Sequence, residues 1–153
     1  MAKDGNAVIA IERVDHIGIR VRDFDRAMAF YRVLGFTLHH RVTFDAVAII
    51  KNEAGVEINL ILNANAGAAD SNILMDVPEK FPGYTHVALR VADVGDTIAA
   101  LKANGITITQ GPVSFGKDGS VSVFVRDPDR NVIELRGRAQ DESRLEGLKH
   151  YEP

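Results

Sequence analysis

Two histidines stand at matching places in two copies of one pattern. Val14-Asp15-His16-Ile17-Gly18-Ile19-Arg20-Val21 is echoed by Tyr84-Thr85-His86-Val87-Ala88-Leu89-Arg90-Val91. Imidazole is a versatile ligand for divalent transition metals. One histidine in each half of a duplicated half-barrel is a way to bring two imidazoles to one metal ion. At an offset of 70 residues, His16/His86, Arg20/Arg90, Val21/Val91, Asp23/Asp93, Ala29/Ala99, Gly35/Gly105 and Thr37/Thr107 are identical. Later the offset is 75, which lays Asn59-Leu60 over Glu134-Leu135. His39, His40 and His150 have no repeat partner and read as surface residues.

The two copies imply a β-α-β-β-β unit used twice, in a duplicated domain rather than a solenoid. The first strand is expected over Ile11 to Val21, with Ile17, Ile19 and Val21 on one face and His16, Gly18 and Arg20 on the other. Asp23 or Asp25 caps a helix running to about Leu34, with Ala27, Phe30, Tyr31 and Leu34 on one side. Gly35 is the expected residue just past its end. Strands follow at Phe36 to Val42, Phe44 to Lys51 and Val56 to Leu62. The second copy offers a strand at Thr85 to Val91 and a helix at Val94 to Asn104, capped by Asp93 and ended by Gly105. Strands follow at Ile106 to Thr109, Ser120 to Arg126 and Asn131 to Arg136. Gly111 to Gly119, with Phe115 and Lys117, is expected as a loop able to close over a substrate. Asp127-Pro128-Asp129-Arg130 reads as a turn.

The chain has 153 residues, read as a single domain 1–153. Module 11–62 and module 84–137 are joined by a connection, 63–83, followed by a charged tail, 138–153. Ile73, Leu74 and Met75 make the connection too apolar for a free linker, so part of it should pack or line a pocket. The tail is expected to carry no chemistry. Hydrophobic residues make up 46% and charged residues 25%, the balance of a globular domain. A net charge of −3 gives no reason to expect nucleic acid or an anionic membrane as partner. No segment reads as a signal peptide or membrane span, so a cytoplasmic protein is expected. There are no cysteines, which excludes disulfides, thiolate metal sites and a cysteine nucleophile.

These motifs resemble the vicinal-oxygen-chelate superfamily, which includes glyoxalase I, bleomycin-resistance proteins and extradiol dioxygenases. The resemblance covers about residues 11 to 137. It rests on Asp15-His16-Ile17-Gly18-Ile19 and Ala29-Phe30-Tyr31-Arg32-Val33-Leu34-Gly35-Phe36 in the first copy. In the second it rests on Thr85-His86-Val87-Ala88 and Asp127-Pro128-Asp129-Arg130-Asn131-Val132-Ile133-Glu134-Leu135. It implies an α+β fold of two βαβββ modules forming an open, eight-stranded cupped sheet. It also implies a metal set of His16, His86 and Glu134, suited to Ni, Co, Zn, Mn or Fe(II). Arg130 stands where the family usually has glycine, which weakens the expectation of a positive φ there.

The family's fourth ligand position is where this chain departs, because Asn59 stands in place of a glutamate. Glu57 lies two residues earlier on the same strand face, about 6.6 Å away at ~3.3 Å per residue. An amide can orient a substrate but cannot act as a base. The resemblance implies a lyase or isomerase similar to glyoxalase I, acting through an ene-diolate on a small substrate with adjacent oxygens. Glutathione is a candidate co-substrate. Glu134 and Glu57 are the candidate catalytic carboxylates. Asn59, Arg20, Arg90 and Phe115 are the candidate substrate contacts, the arginines forming a cationic rim for an anionic substrate. Two alternatives stay open: a ring-cleaving Fe(II) dioxygenase, and a metal-free small-molecule binding or resistance protein. A homodimer is expected, with modules pairing within or across chains.

Overall fold

A computed structural model describes residues 8–66, 71–115 and 118–151. Two βαβββ modules are present, as the repeat requires. The first comprises β1 (Ile17–Arg20), α1 (Phe24–Tyr31), β2 (Thr37–Val42), β3 (Val47–Lys51) and β4 (Glu57–Ile61). The second comprises β5 (His86–Arg90), α2 (Val94–Ala103), β6 (Ile108–Phe115), β7 (Ser120–Arg126) and β8 (Val132–Arg138). A single 3-10 turn, Glu142–Arg144, precedes β9 (Lys149–Tyr151).

Period-two alternation explains the strands. On β4, Ile58 and Leu60 are fully buried, while Glu57, Asn59 and Ile61 between them are half-buried on the opposite face. On β3, Ala48 and Ile50 are buried in the same way. The helices begin where a carboxylate can satisfy a free N–H. Asp23 accepts from the Arg26 backbone N–H at 2.8 Å, and Asp93 from that of Asp96 at 2.8 Å. Both helices are followed by a glycine with positive φ, Gly35 at 93° and Gly105 at 70°. Ala27, Phe30, Tyr31 and Leu101 enter one hydrophobic core, which both modules share.

The strands divide into two sheets, ordered β1-β4-β3-β2 and β5-β8-β7-β6-β9. β1 pairs parallel with β4, and β5 pairs parallel with β8. β1, which follows His16, and β5, which opens on His86, are therefore the edges of their sheets, and no rung joins them among the described residues.

Several boundaries differ from the sequence reading. β1 starts at Ile17 rather than Ile11, because β4 offers it only a short partner and residues 8–16 find no ladder. Residues 43–46 form a turn instead of opening β3. The expected loop from Gly111 is strand as far as Phe115: Val113 and Ser114 are buried and pair with Ser122 and Val121. Gly116 and Lys117 lie outside the described residues. The tail is structural too, since β9 adds to β6 as a fifth strand and Phe115 stacks on Tyr151 at 5.5 Å. Arg130 does adopt a positive φ, at 70°. Its carbonyl in that conformation accepts from Asn72 at 3.1 Å and from the Arg126 guanidinium at 3.0 Å.

The turn after β7 joins the modules. Tyr31 of α1 donates its hydroxyl to Asp127 at 2.7 Å inside the protein. Arg22 and Arg26 both reach Asp129 at 2.7 Å, and Asn131 donates to the Arg20 carbonyl at 3.1 Å. Burial pushes the Asp127 carboxyl above its usual range, against hydrogen bonds from Asn131 and Tyr31. Burial also acts on Asp129, but bonds from Arg22 and Arg26 outweigh it and hold that carboxyl low. Residues 72–76 of the connection are anchored to the same turn. Arg126 donates to both carboxylate oxygens of Asp76, at 3.0 and 2.9 Å.

Two outcomes are expected. Tyr31→Phe removes a buried bond to a charged acceptor and should lower unfolding stability by about 1.5–3 kcal/mol in denaturant titration. The Asp76 carboxyl is held at about 2, first by the Arg126 hydrogen bond and despite partial burial. Its folded value lies below its unfolded one, so its contribution is complete above pH ~4 and fades as pH falls through about 2. Hydrogen exchange at residues 72–76 should therefore quicken between pH 4 and pH 2, and Asp76→Asn should abolish that change.

Candidate functional site

The two edge strands face a cleft of about 1020 Å³ where the modules meet. His16 and His86 both line it, together with Arg20, Asn63, Asn131 and the connection residues Asn72, Ile73 and Leu74. The connection thus does line a pocket. Leu74 packs over Gly83, and Ile73 stays mostly exposed on the cleft wall. The volume is at the upper end of the ~300–1,000 Å³ that small-molecule clefts occupy.

Each histidine is oriented by the residue just before it. His16 Nδ1 lies 2.7 Å from Asp15 Oδ1, and His86 Nδ1 lies 2.9 Å from Thr85 Oγ1. A carboxylate only accepts, so His16 presents an Nδ1–H to Asp15. Nδ1–H to a carboxylate is the arrangement that metal-ligating histidines use to fix ring orientation and raise basicity. The Thr85 hydroxyl can donate or accept, while the Glu134 carboxylate 3.1 Å from Nε2 only accepts, so an Nε2–H faces Glu134 from His86. The Phe124 ring packs against it at 5.7 Å, edge to face.

A carboxylate accompanies each imidazole. Glu134 Oε1 lies 3.1 Å from His86 Nε2. Glu134 is only 8% exposed, and its other oxygen accepts from Ser122 Oγ at 2.6 Å. Arg136 donates to that same hydroxyl at 3.0 Å. In the first module, ligand atoms of Asp15, His16 and Glu57 all lie within 4.8 Å of one another. Lys51 Nζ sits 3.5 Å from Glu57 Oε1.

The register supports the repeat alignment. Gly18 lies opposite Asn59 on β1–β4, and Ala88 lies opposite Glu134 on β5–β8. Asn59 is thus the counterpart of Glu134, while the first module's carboxylate has moved two residues earlier, toward His16. Asn59 Oδ1 is buried and has no hydrogen-bond partner. A buried acceptor without a partner costs about 1–3 kcal/mol, which a cation or a donating ligand would recover.

The structure separates part of the expected set. His16, His86 and Glu134 do not form a group of ligand atoms within 4.8 Å; among the described residues only Asp15, His16 and Glu57 do. The described residues thus hold two histidine–carboxylate pairs, His16 with Glu57 and His86 with Glu134. Arg20 lines the cleft, its Nε bonded to Asn63 Oδ1 at 2.9 Å. Arg90 lies beyond Glu134 on the second sheet, reaching Ser120 Oγ at 3.4 Å. Phe115 is stacked on the C-terminal strand and does not line the cleft. Asp15, Thr85, Ser122 and Arg136 escaped the sequence reading. The first two could have been found from their place before each repeated histidine, and Arg136 from its period-two relation to Glu134.

Known proteins share this architecture. A family described as the Glyoxalase/Bleomycin resistance protein/Dioxygenase superfamily matches residues 13–135. A probable lactoylglutathione lyase of Vibrio cholerae is 33% identical over 146 residues, covering 88% of this chain and 97% of that protein. A lactoylglutathione lyase of Haemophilus influenzae is 33% identical over 130 residues, covering 78% of this chain and 88% of that protein. The crystal structure of a glyoxalase/dioxygenase from Nostoc punctiforme superposes with a TM-score of 0.69 at 23% identity, covering 88% of this chain and 99% of that one. With the repeated βαβββ module, these matches make the chain a member of the Glyoxalase/Bleomycin resistance protein/Dioxygenase superfamily.

Proposed function

We propose that this protein is a metal-dependent lyase or isomerase similar to glyoxalase I, acting on a small substrate with adjacent oxygens. One observation carries the reading: each repeated histidine has Nδ1 held by the preceding residue and a carboxylate close to its ring. His16 and Glu57 would hold the cation from one module, and His86 and Glu134 from the other. Asp15 and Thr85 would orient the imidazoles. The orphaned Asn59 oxygen fits a site that expects a cation or a donating ligand. The bound cation, one of Ni, Co, Zn, Mn or Fe(II), supplies Lewis-acid polarisation of the substrate oxygens.

Glu134 is suited to move the proton. Ser122 occupies one carboxylate oxygen, and the other points toward His86. It takes the proton from carbon beside the carbonyl and returns it to the neighbouring carbon, which passes the substrate through an ene-diolate. Glu57 is the second carboxylate, with the Lys51 ammonium 3.5 Å from it. Asn59 can hold a substrate hydroxyl but cannot replace a base. Arg20, on the cleft wall, is placed to meet a negative substrate group. Among the described residues no group of ligand atoms within 4.8 Å joins the two pairs, and β1 and β5 are sheet edges, so we assign the working unit to a homodimer in which each pair is a half-set and half-sets of two copies meet.

The hemithioacetal of methylglyoxal and glutathione is the substrate to test. Glu134→Gln should lower its turnover roughly 10²–10⁴-fold while the cation is retained. Unchanged turnover with metal bound would remove Glu134 from proton transfer. His86→Ala should weaken cation affinity by at least about 100-fold in calorimetric titration, since even outer partners of ligands are worth up to that factor. Wild-type protein that binds no added Ni(II), Co(II), Zn(II), Mn(II) or Fe(II) would sink the metal-dependent reading.

A further inference from the structure

Beyond Glu134, the same face of the second sheet carries an unbalanced positive charge. Arg90 and Arg136 are direct partners in the β5–β8 ladder. Like charges placed opposite each other destabilise a sheet, a cost that a bound anion would relieve. Arg138 follows two residues on, with its side chain on the same face. Asp118 is the one carboxylate in ion-pair distance of this group among the described residues, 3.3 Å from Arg136. No described carboxylate lies in ion-pair distance of Arg90 or Arg138.

Two hydroxyls sit among these guanidiniums. Arg90 reaches Ser120 Oγ at 3.4 Å, and Arg136 reaches Ser122 Oγ at 3.0 Å. Ser120 lies opposite Arg138 and Ser122 opposite Arg136 on β7–β8. The two serines are buried beneath the guanidiniums, so the result is a shelf of planar donor forks, the donor chemistry that oxyanions require. Ser122 also donates to Glu134, so the shelf begins next to the carboxylate assigned to proton transfer.

We infer that Arg90, Arg136 and Arg138 form a subsite for a carboxylate or phosphate group on the substrate. The substrate class is then a small α-hydroxycarbonyl or similar compound that bears a terminal oxyanion. Its orientation rests on the proposed role of Glu134: the oxyanion on the shelf aims the adjacent carbons at that carboxylate. Oxyanion binding itself needs neither the cation nor turnover, so the two readings fail separately.

The test is a titration of the full chain, free of added metal, with inorganic phosphate and separately with acetate. Chloride holds the ionic strength constant, and backbone amide shifts report binding. Saturable shifts should appear at Arg90, Ser120, Ser122 and Arg136, and Arg90→Met should weaken the affinity about tenfold or more. Tighter binding of phosphate assigns a phosphate ester, and tighter binding of acetate assigns a carboxylate. Should Arg90→Met fail to fold, the exposed Arg138→Met should weaken binding several-fold. Shifts that do not saturate, or that are the same in a folded arginine variant, would overturn the subsite. Unchanged metal affinity in Arg90→Met would separate loss of the anion subsite from loss of the metal centre.

Discussion

The turn from Asp127 to Asn131 is the constraint on which the site depends. It follows β7, and it reaches into the other module with three side chains and one carbonyl. Tyr31 bonds to Asp127, Arg22 and Arg26 close on Asp129, Arg26 also meets the Pro128 carbonyl, and Asn131 holds the Arg20 carbonyl. The two sheets share no backbone rung among the described residues, so the relative placement of β1 and β5 rests on this turn and on the common core. The cleft between those strands inherits its width from the same contacts. The anchored Asp76 fixes one wall of that cleft to the same structure, through Arg126.

The chemistry lies in how the two halves differ. Repeat symmetry gives each half a histidine at the head of its edge strand and an oxygen-bearing side chain on the strand beside it. In the second half that oxygen belongs to Glu134, buried and bonded by Ser122. In the first half the equivalent place holds Asn59, whose oxygen has no partner, and the carboxylate has shifted to Glu57 beside Lys51. The two carboxylates therefore have different surroundings. One is enclosed by a hydroxyl and an imidazole, and the other is half-buried beside an ammonium. Such a pair can divide binding and proton movement between them rather than share both.

Local rules made much of this legible. Asp23 and Asp93 cap helices because a carboxylate there meets a free N–H, which needs no tertiary information. Ile58 and Leu60 reveal the buried face of β4 by alternation alone, and with it the face of Glu57 and Asn59. Non-local pairing was not legible. The length of β1 is set by the five residues of β4, not by the apolar run from Ile11. The tail reads as charged and solvated, yet Lys149–Tyr151 pair with β6 and draw Phe115 away from the cleft. Alternation put Glu57 and Asn59 on one face, but only side-chain direction shows which of them approaches His16. Arg130 was judged by its residue type, whereas the bonds made by its carbonyl explain its positive φ.

The central claim is that half-sets from two copies make one metal site. The most direct measurement is cation binding by a co-refolded mixture of His16→Ala and His86→Ala chains. Each variant alone lacks one imidazole at every site and should bind weakly. A mixed dimer pairs the intact His16 half-set of one chain with the intact His86 half-set of the other, and it should bind one cation tightly per two chains. A mixture that gains no tight binding, or a single variant that keeps stoichiometric binding, would contradict a site shared between chains.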